Sequence, residues 1–349
     1  MIEKKVFIIA EAGVNHNGNI KLAYKLIDIA KEADVDAIKF QTFKAEKVIS
    51  KYADMASYQK KNLGIKESQY EMIKKLELSY KEFKKLKKYC DEIKIMFLST
   101  PDEEDSLNFL VDELNIPLIK IGSGEVTNLP YLRKIAAKNK PIIMSTGMAN
   151  LGEVEEAIYT IEDVNPNAKI SLLHCTTNYP TPFEEVNLKA MQTLSSVFKL
   201  PIGYSDHTLG IEVPIAAVAM GARIIEKHFT INKKLQGPDH KASLNPDELK
   251  EMVKMIRNIK MSIGDGIKTP NKSEIKIMKV VRKSLIATRD IGVGEIIKKT
   301  DVTIKRPGTG ILPKFKEVII GMKLINNIRQ DESFKWENFK WFPKNAKKY

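Results

Sequence analysis

The chain has 349 residues, 43% of them hydrophobic and 29% charged, a composition that excludes wholesale disorder and collagen-like structure. Its two cysteines exclude a disulfide framework and a cysteine-based zinc site. The net charge of +13 comes mostly from scattered lysines, including those at 344–348, so it indicates solvated helix faces that attract anions rather than a nucleic-acid partner.

No membrane partner is expected either. No apolar run approaches the roughly 18–20 residues that cross a bilayer. The first residues, Met1 to Lys5, lead into an apolar segment without a cleavable signal pattern. We therefore expect a soluble, cytoplasmic protein.

Eight short apolar, β-branched runs recur along the first 230 or so residues, and most are separated by stretches with helical spacing, such as Leu22, Leu26 and Ile29. Strands that alternate with helices pair in parallel through right-handed crossovers, and eight of them match a (β/α)8 TIM barrel. The predicted strands are Val6–Ala10, Ala37–Phe40, Ile95–Leu98, Leu118–Ile121, Pro141–Met144, Ile170–Leu173, Pro201–Gly203 and Arg223–Glu226.

One connection is unusually long. Lys44 to Ser68, after the second strand, is polar and has no strong pattern. It is either a cover over the mouth of the barrel or an unordered surface insertion.

The pattern changes after residue 263. Residues 264–283 indicate a linker with a short basic helix, and 284–349 show short strand-like pieces and turns. We therefore predict a barrel domain over 1–263, a linker over 264–283 and a small β-rich domain over 284–349, which is only marginally stable alone.

The ends of the predicted strands carry the polar side chains, as expected if catalytic groups gather at the C-terminal mouth of the barrel. Lysines and hydroxyls there provide what a phosphate or a carboxylate needs. These residues are Lys39, Ser99, Thr100, Lys120, Ser123 and Ser205.

All five histidines also fall at strand ends on this face. His207 and His228 follow adjacent strands, so both imidazoles can reach one metal ion. Two nitrogens with open positions favour a Lewis-acid ion, with Mn²⁺ preferred and Mg²⁺ or Co²⁺ as alternatives.

Several sequence motifs, which include the strand-end residues named above, resemble those of the sialic acid synthase family. The C-terminal segment, with Lys305-Arg-Pro-Gly308, is similar to the antifreeze-like (SAF) domain of these synthases. The barrel motifs are Glu11–Gly18, Lys39–Thr42, Ser99–Pro101, Lys120–Glu125, Ser145–Met148, Tyr179–Pro182, Ser205–Thr208, Glu226–Phe229 and Gly237–Asp239.

The resemblance implies condensation of phosphoenolpyruvate with an N-acetylated hexosamine, giving a nine-carbon keto sugar acid and phosphate. It assigns phosphoenolpyruvate to Lys39, Thr100, Lys120, Ser123 and Ser205, and the metal to His207 and His228. It places Glu11, Gln41, Glu125, Tyr179 and Asp239 around the sugar and the reacting carbons, with Glu125 as a candidate for protonation or water activation.

The sequence departs from the family at one phosphate contact. Where bacterial sialate synthases commonly have Asn, this chain has Thr177, and Asn178 follows. We assign the contact to Asn178, with Thr177 as the alternative.

Two segments bear on the sugar. Lys39–Lys44 and Ser57–Asn62 look closer to the legionaminic acid synthase branch, and many sialate synthases have His at the position of Phe40. We expect Phe40 near the tail of the sugar, favouring a 2,4-diacetamido-2,4,6-trideoxyhexose over N-acetylmannosamine.

The family also implies a homodimer with exchanged SAF domains, in which Arg306 reaches the partner's barrel and contacts the N-acetyl group. Two other classes remain open. One is a synthase that acts on phosphorylated aldoses, and the other is a carbohydrate- or ice-binding module.

Overall fold

The structure, a computed structural model, describes residues 5–53 and 68–340. The segment Ser57–Asn62, most of the long connection and the lysines at 344–348 lie outside these ranges. The chain divides into two compact units, the first ending at Gly264 and the second beginning at Asp265. No helix in the described part of the chain is both long and apolar enough to span a bilayer.

The eight predicted strands of the first unit are confirmed, and they form a nearly closed parallel barrel. The hydrogen-bonded order is β3-β2-β1-β8-β7-β6-β5-β4, and β3 also packs beside β4. The strands are β1 (Phe7–Gly13), β2 (Ala37–Thr42), β3 (Met96–Pro101), β4 (Ile119–Ile121), β5 (Ile142–Ser145), β6 (Ile170–Cys175), β7 (Ile202–Asp206) and β8 (Ile224–His228).

Helices cover the outside of the barrel, and side-chain caps fix several of their first turns. Ser79, Asn150 and Asn245 each accept a hydrogen bond from the third residue of their helix in a capping box. The helices are α1 (Ile20–Glu32), α2 (Ala45–Val48), α3 (Gln69–Leu76), α4 (Tyr80–Glu92), α5 (Glu104–Asn108), α6 (Leu129–Ala137), α7 (Leu151–Val164), α8 (Lys189–Phe198), α9 (Glu212–Ala219) and α10 (Pro246–Ser262).

Two apolar layers result from the alternation of side chains along each strand. Outward-facing residues pack against the helices in the main core. Inward-facing residues fill the barrel axis and close it below the mouth; they are Phe7, Ile9, Ala37, Leu98, Ile143, Leu173 and Ile224. The polar side chains at the mouth of the barrel therefore lie above a layer of buried apolar side chains.

The second unit opens with a helix, α11 (Lys272–Val281), and then folds around a two-stranded antiparallel sheet. Strand β9 (Ser284–Ala287) pairs with β10 (Val302–Lys305), and a short helix, α12 (Lys316–Ile319), follows. Its core includes Leu285, Val302, Ile311, Ile319, Leu324, Ile328, Phe334 and Phe339. The predicted basic helix and the small β-rich fold are both present.

Candidate active site

A polar cleft of about 210 Å³ lies at the C-terminal mouth of the barrel. Ten of the predicted site residues line it: Glu11, Lys39, Gln41, Thr100, Lys120, Ser123, Tyr179, Ser205, His207 and His228. They meet because each faces the barrel axis at the end of its strand or in the loop that follows. The cleft also contains Thr177, the alternative phosphate contact, and five residues that the sequence analysis did not assign to the site: Asp102, Ser145, Met148, Cys175 and Glu226.

Glu226 lies between the two lysines at the floor of the cleft. Its carboxylate is 3.7 Å from Lys39 Nζ and 3.5 Å from Lys120 Nζ, and it accepts a 3.0 Å hydrogen bond from Ser205 Oγ. Burial raises the pKa of Glu226, but Lys120 and Lys39 outweigh that effect and lower it. An ionised Glu226 therefore holds both ammonium groups in position.

Each lysine has a further hydroxyl partner. Lys39 Nζ donates to Thr100 Oγ1 at 3.0 Å, and Lys120 Nζ donates to Ser145 Oγ at 2.7 Å. Burial lowers the pKa of both lysines, and for Lys39 the carboxylates of Glu11 and Glu226 more than offset it. These are fixed, desolvated cations, which bind anionic groups more strongly than exposed lysines do.

Glu11 closes the β1 side of the cleft. Its Oε2 is 2.8 Å from Lys39 Nζ, and its Oε1 accepts a 3.4 Å contact from Gln41 Nε2. Burial raises its pKa to about 7, with Lys39 opposing the rise. Gly13 adopts a φ of +50°, and a Cβ there would lie 3.2 Å from Glu11 Oε1 and 3.4 Å from His228 Cε1, so Glu11 and His228 are packed closely together.

The ring nitrogens of His207 and His228 are suitable ligands for a metal ion. The two ring centroids are 5.5 Å apart, with Tyr179 3.9 Å from the first and 5.5 Å from the second. His207 Nδ1 donates to the Thr176 carbonyl at 2.7 Å, so Nε2 is the acceptor when the ring is neutral. Burial lowers the pKa of His207, but Cys175 and the Thr176 carbonyl more than offset that effect, so a metal ion would have to displace a proton from this ring. His228 Nδ1 is buried and, within the described part of the chain, has no hydrogen-bond partner. Burial together with His207 keeps the pKa of His228 well below the ordinary value, so the imidazole is neutral.

The protein offers these two nitrogens without a complete ligand set. Among the described residues, no group of three or more His, Cys, Asp or Glu side chains is arranged to hold a metal. A metal at this position would therefore keep open coordination sites for substrate or water, as catalytic metals do.

An ion pair outside the barrel lies directly behind the two histidines. Asp206 precedes His207 on β7, Lys227 precedes His228 on β8, and both point away from the axis. Lys227 Nζ binds Asp206 Oδ2 and the Thr208 carbonyl, and neither charged side chain is exposed to solvent. The pair ties the ends of β7 and β8 together.

Four predicted barrel residues do not line the cleft, and one of them, Ser99, instead shares a 2.7 Å hydrogen bond with the Thr42 hydroxyl. Glu125 accepts a 2.7 Å hydrogen bond from Asn128 Nδ2 at the start of α6. Asn178 lies in the loop after β6, where its carbonyl accepts from Thr181 Oγ1. Asp239 is buried close enough to His207 to interact electrostatically, and burial raises its pKa to about 6.

Thr177, rather than Asn178, lines the cleft. Its Oγ1 is buried and has no hydrogen-bond partner among the residues that the structure describes. Counting inward-facing positions from Leu173 through Cys175 leads to Thr177, so the alternation of β6 continues into the loop. The geometry therefore favours the alternative contact that the sequence left open.

The expectation that Phe40 lies near the sugar is wrong. Phe40 is fully buried in the core between the barrel and the helices, with its ring stacked on Phe97 at 5.8 Å and tilted against Phe83 and His16. Lys39 and Gln41 face the cleft, so the residue between them must face outward. Phe40 does not line the cleft.

The other three histidines hold loops in place. His174 Nε2 contacts the Val186 carbonyl at 2.7 Å. His240 contacts Thr230 Oγ1 at 2.7 Å and Asn17 Oδ1 at 3.1 Å, and His16 Nδ1 accepts from the Gly18 amide. They therefore shape the mouth without lining the cleft.

In the second unit, Arg306 lies on a loop that is fixed at its base. The Gly308 amide donates to the Lys279 carbonyl of α11 at 2.9 Å, and Ser284 Oγ donates to the Pro307 carbonyl at 2.7 Å. The Arg306 side chain itself is exposed. A backbone anchored on both sides can present an arginine to a ligand outside the unit.

Comparison with known proteins matches both units. The NeuB family model matches residues 26–268, and the SAF domain model matches residues 282–340. An N,N'-diacetyllegionaminic acid synthase of Campylobacter jejuni is 53% identical over 94% of this chain and 98% of its own length. Another from Legionella pneumophila is 48% identical over 95% of this chain and 94% of its own.

A solved structure of similar shape is the N-acetylneuraminic acid synthetase of Leptospira borgpetersenii in complex with citrate. It is 37% identical with a TM-score of 0.68, over 78% of this chain and 90% of its own.

Proposed function

The chain belongs to the NeuB family and carries a SAF domain, and on that premise we propose that it condenses phosphoenolpyruvate with 2,4-diacetamido-2,4,6-trideoxymannose. The products are N,N'-diacetyllegionaminate and phosphate. The observation that carries this proposal is 53% identity, over nearly the whole chain, to a synthase of that product. A binding module would leave the cleft of paired lysines and histidines without a role.

The second candidate is N-acetylneuraminate synthesis from N-acetylmannosamine. The similar fold and 37% identity of a sialic acid synthetase support it. The two reactions share phosphoenolpyruvate and the same bond-forming step, so they differ only in the groups around the sugar.

Phosphoenolpyruvate binds on the β2–β4 side of the cleft in this proposal. Lys39 and Lys120 contribute fixed positive charge to the carboxylate and phosphate. Thr100, Ser123 and Ser205 add hydroxyl donors, and Thr177 replaces Asn178 as the phosphate contact because its hydroxyl is in the cleft.

The sugar binds on the side of the histidines. Gln41 and Tyr179 line that part of the cleft, and Asp239 is buried close to His207. A divalent cation held by His207 and His228, with Mn²⁺ preferred over Mg²⁺ or Co²⁺, supplies Lewis acidity toward the sugar carbonyl when bound. Tyr179 packs on His207, orients the imidazole ring of His207 and excludes water from the side of the cleft where the sugar carbonyl reacts.

Condensation requires a proton to move from the attacking water to the new hydroxyl group. Glu11 is suited to this, because its pKa of about 7 allows it to accept and return a proton at neutral pH. We keep Glu125 as the second carboxyl of the site. Its hydrogen bond with Asn128 must open for it to reach the cleft.

We assign residues 1–263 to the synthase barrel, 264–283 to the linker and 284–349 to the SAF domain. We also propose a homodimer in which Arg306 of one chain reaches the active site of its partner. Helix α11 supports a dimer because Ile277, Val280 and Val281 are 55%, 67% and 43% exposed. The free, buried thiols of Cys90 and Cys175 suit a reducing cytoplasm, where we place the protein.

The deciding experiment is phosphate release from phosphoenolpyruvate, measured with each of the two sugars, with and without Mn²⁺. We expect turnover with the diacetamido sugar at higher kcat/KM than with N-acetylmannosamine. Higher efficiency with N-acetylmannosamine would select the second candidate, and no release with either sugar would contradict both.

A further inference from the structure

Asp102 is a cleft carboxyl group that the proposed mechanism leaves unused. It follows β3, two positions after Thr100, and so faces the barrel axis on the same side. Its amide donates to the Thr42 carbonyl at 3.2 Å, which fixes the backbone. Within residues 5–53 and 68–340, its carboxyl group has no hydrogen bond or ion pair, although Lys39 and Lys120 lie close enough to interact with it electrostatically.

The charges around Asp102 explain why its carboxyl group has no ion-pair partner among the described residues. The inner cleft holds two ammonium groups, Lys39 and Lys120, and three carboxyl groups, Glu11, Glu226 and Asp102. Glu11 and Glu226 already engage the lysines at 2.8 to 3.7 Å. Asp102 is thus the surplus carboxylate on the side where phosphoenolpyruvate must place its own negative charges.

An ionised Asp102 would repel that substrate at short range in a partly desolvated site. We propose that Asp102 binds phosphoenolpyruvate as a neutral carboxylic acid, donating a hydrogen bond to one of its anionic oxygens. The inference rests on the proposed function, since it takes phosphoenolpyruvate as the ligand of Lys39 and Lys120.

The titration behaviour of Asp102 agrees with this role. Burial raises its pKa to about 7; Lys39 and Lys120 oppose the rise, and Glu125 and Glu103 add to it. Tyr131, also nearby, donates its hydroxyl to the Pro101 and Glu103 carbonyls. A bound anion beside Asp102 must raise the pKa of Asp102 further. A cation held by His207 and His228 would lie on the β7–β8 side of the cleft, away from Asp102 at the end of β3.

Binding of phosphoenolpyruvate should therefore take up a proton. Calorimetric titrations of the full-length protein, in buffers of different ionisation enthalpy, measure this number directly. We expect wild-type protein to take up about half a proton more than Asp102→Asn at pH 7, and about one more at pH 8. The difference should be present in both metal-free and Mn²⁺-loaded protein.

The affinity for phosphoenolpyruvate distinguishes the hydrogen bond of Asp102 from the effect of its charge. The amide of Asp102→Asn can still donate, so we expect it to bind phosphoenolpyruvate within about threefold of wild type at pH 7, while Asp102→Ala binds about tenfold or more weakly. The matched control is Glu104→Gln, which alters an exposed carboxylate paired with Lys134 and should leave proton uptake unchanged. Thermal melts establish that each variant is folded.

Equal proton uptake by wild type and Asp102→Asn would overturn the inference, as would wild-type affinity in Asp102→Ala. Either result leaves the proposed function intact. If wild-type protein does not bind phosphoenolpyruvate at all, the proposed function fails, and the inference fails with it.

Discussion

The two histidines at the ends of β7 and β8 depend on their protonation state for any metal chemistry. His228 is held neutral by burial, and the Nδ1 of His207 is occupied by a backbone carbonyl. A metal ion at this proposed site would therefore meet one neutral imidazole, that of His228, and one that the backbone orients, that of His207.

We expect a chelator to abolish phosphate release and Mn²⁺ to restore it, because two nitrogens make an exchangeable site. His228→Ala should keep the fold and weaken Mn²⁺ binding by about 100-fold or more. Metal content by elemental analysis, calorimetric Mn²⁺ binding and initial rates test this. Full turnover by demonstrably metal-free protein would contradict it.

Thr177 gives a second prediction at the residue scale. Thr177→Val keeps the shape and removes the buried hydroxyl, so KM for phosphoenolpyruvate should rise about tenfold, the loss of one hydrogen bond to a charged group. Asn178→Ala, at the neighbouring position outside the cleft, should change that KM less than twofold. The opposite order in steady-state kinetics would return the contact to Asn178.

Phe40 should affect stability rather than sugar choice. Phe40→His introduces a polar ring into a packed aromatic cluster, and we expect unfolding to become easier by about 2–4 kcal/mol. The ratio of kcat/KM between the two sugars should stay unchanged, because the side chain does not line the cleft. Denaturant titration and parallel kinetics check both parts, and a shift in sugar preference would refute the second.

The alternation of side chains explains which site residues could be predicted from sequence. Once Lys39 is taken as inward-facing, Phe40 must face outward, and the same count makes Asp102 inward after Thr100 and Thr177 inward after Cys175. This signal was present in the sequence. The hydrogen bond that turns Glu125 toward Asn128 was not, because it depends on how the turn after β4 meets α6.

At the scale of elements, all eight strands could be predicted because each is an apolar run that ends in polar residues. Their ends could not: β6 runs on to Cys175 and β8 to His228, past the last apolar residues. Parallel pairing continues through polar residues there, since the ladder satisfies their backbone groups whatever their side chains are.

Helix α11 provides the test at this scale. Ile277, Val280 and Val281 form one exposed apolar stripe, which we expect to be covered by a second copy of the chain. Ile277→Glu combined with Val280→Glu should convert dimers to monomers, measured by light scattering after size exclusion. Lys272→Glu, on another face of the same helix, is the control and should remain dimeric, and a dimeric double variant would contradict the proposal.

At the scale of the whole molecule, the proposal requires two chains to complete one site. Arg306→Ala and His207→Ala should each lose at least about 100-fold in kcat/KM, the first mainly through weaker sugar binding. Mixed and allowed to exchange subunits, they should regain activity, because one site of each mixed dimer pairs an intact barrel with an intact arginine. Mixed dimers observed by mass spectrometry without activity would show that Arg306 does not act in trans.

The buried pair of Asp206 and Lys227 has a consequence for how the barrel assembles. Sliding β8 against β7 by one residue would reverse every side chain on the strand, turning Lys227 into the polar cleft and leaving Asp206 buried without its counter-ion. An unpaired buried charge costs about 3–5 kcal/mol, a large share of a typical folding free energy. The cost of breaking this pair therefore disfavours a misaligned β8 during folding, and the correct register brings His207 and His228, the proposed metal ligands, to the same end of the barrel.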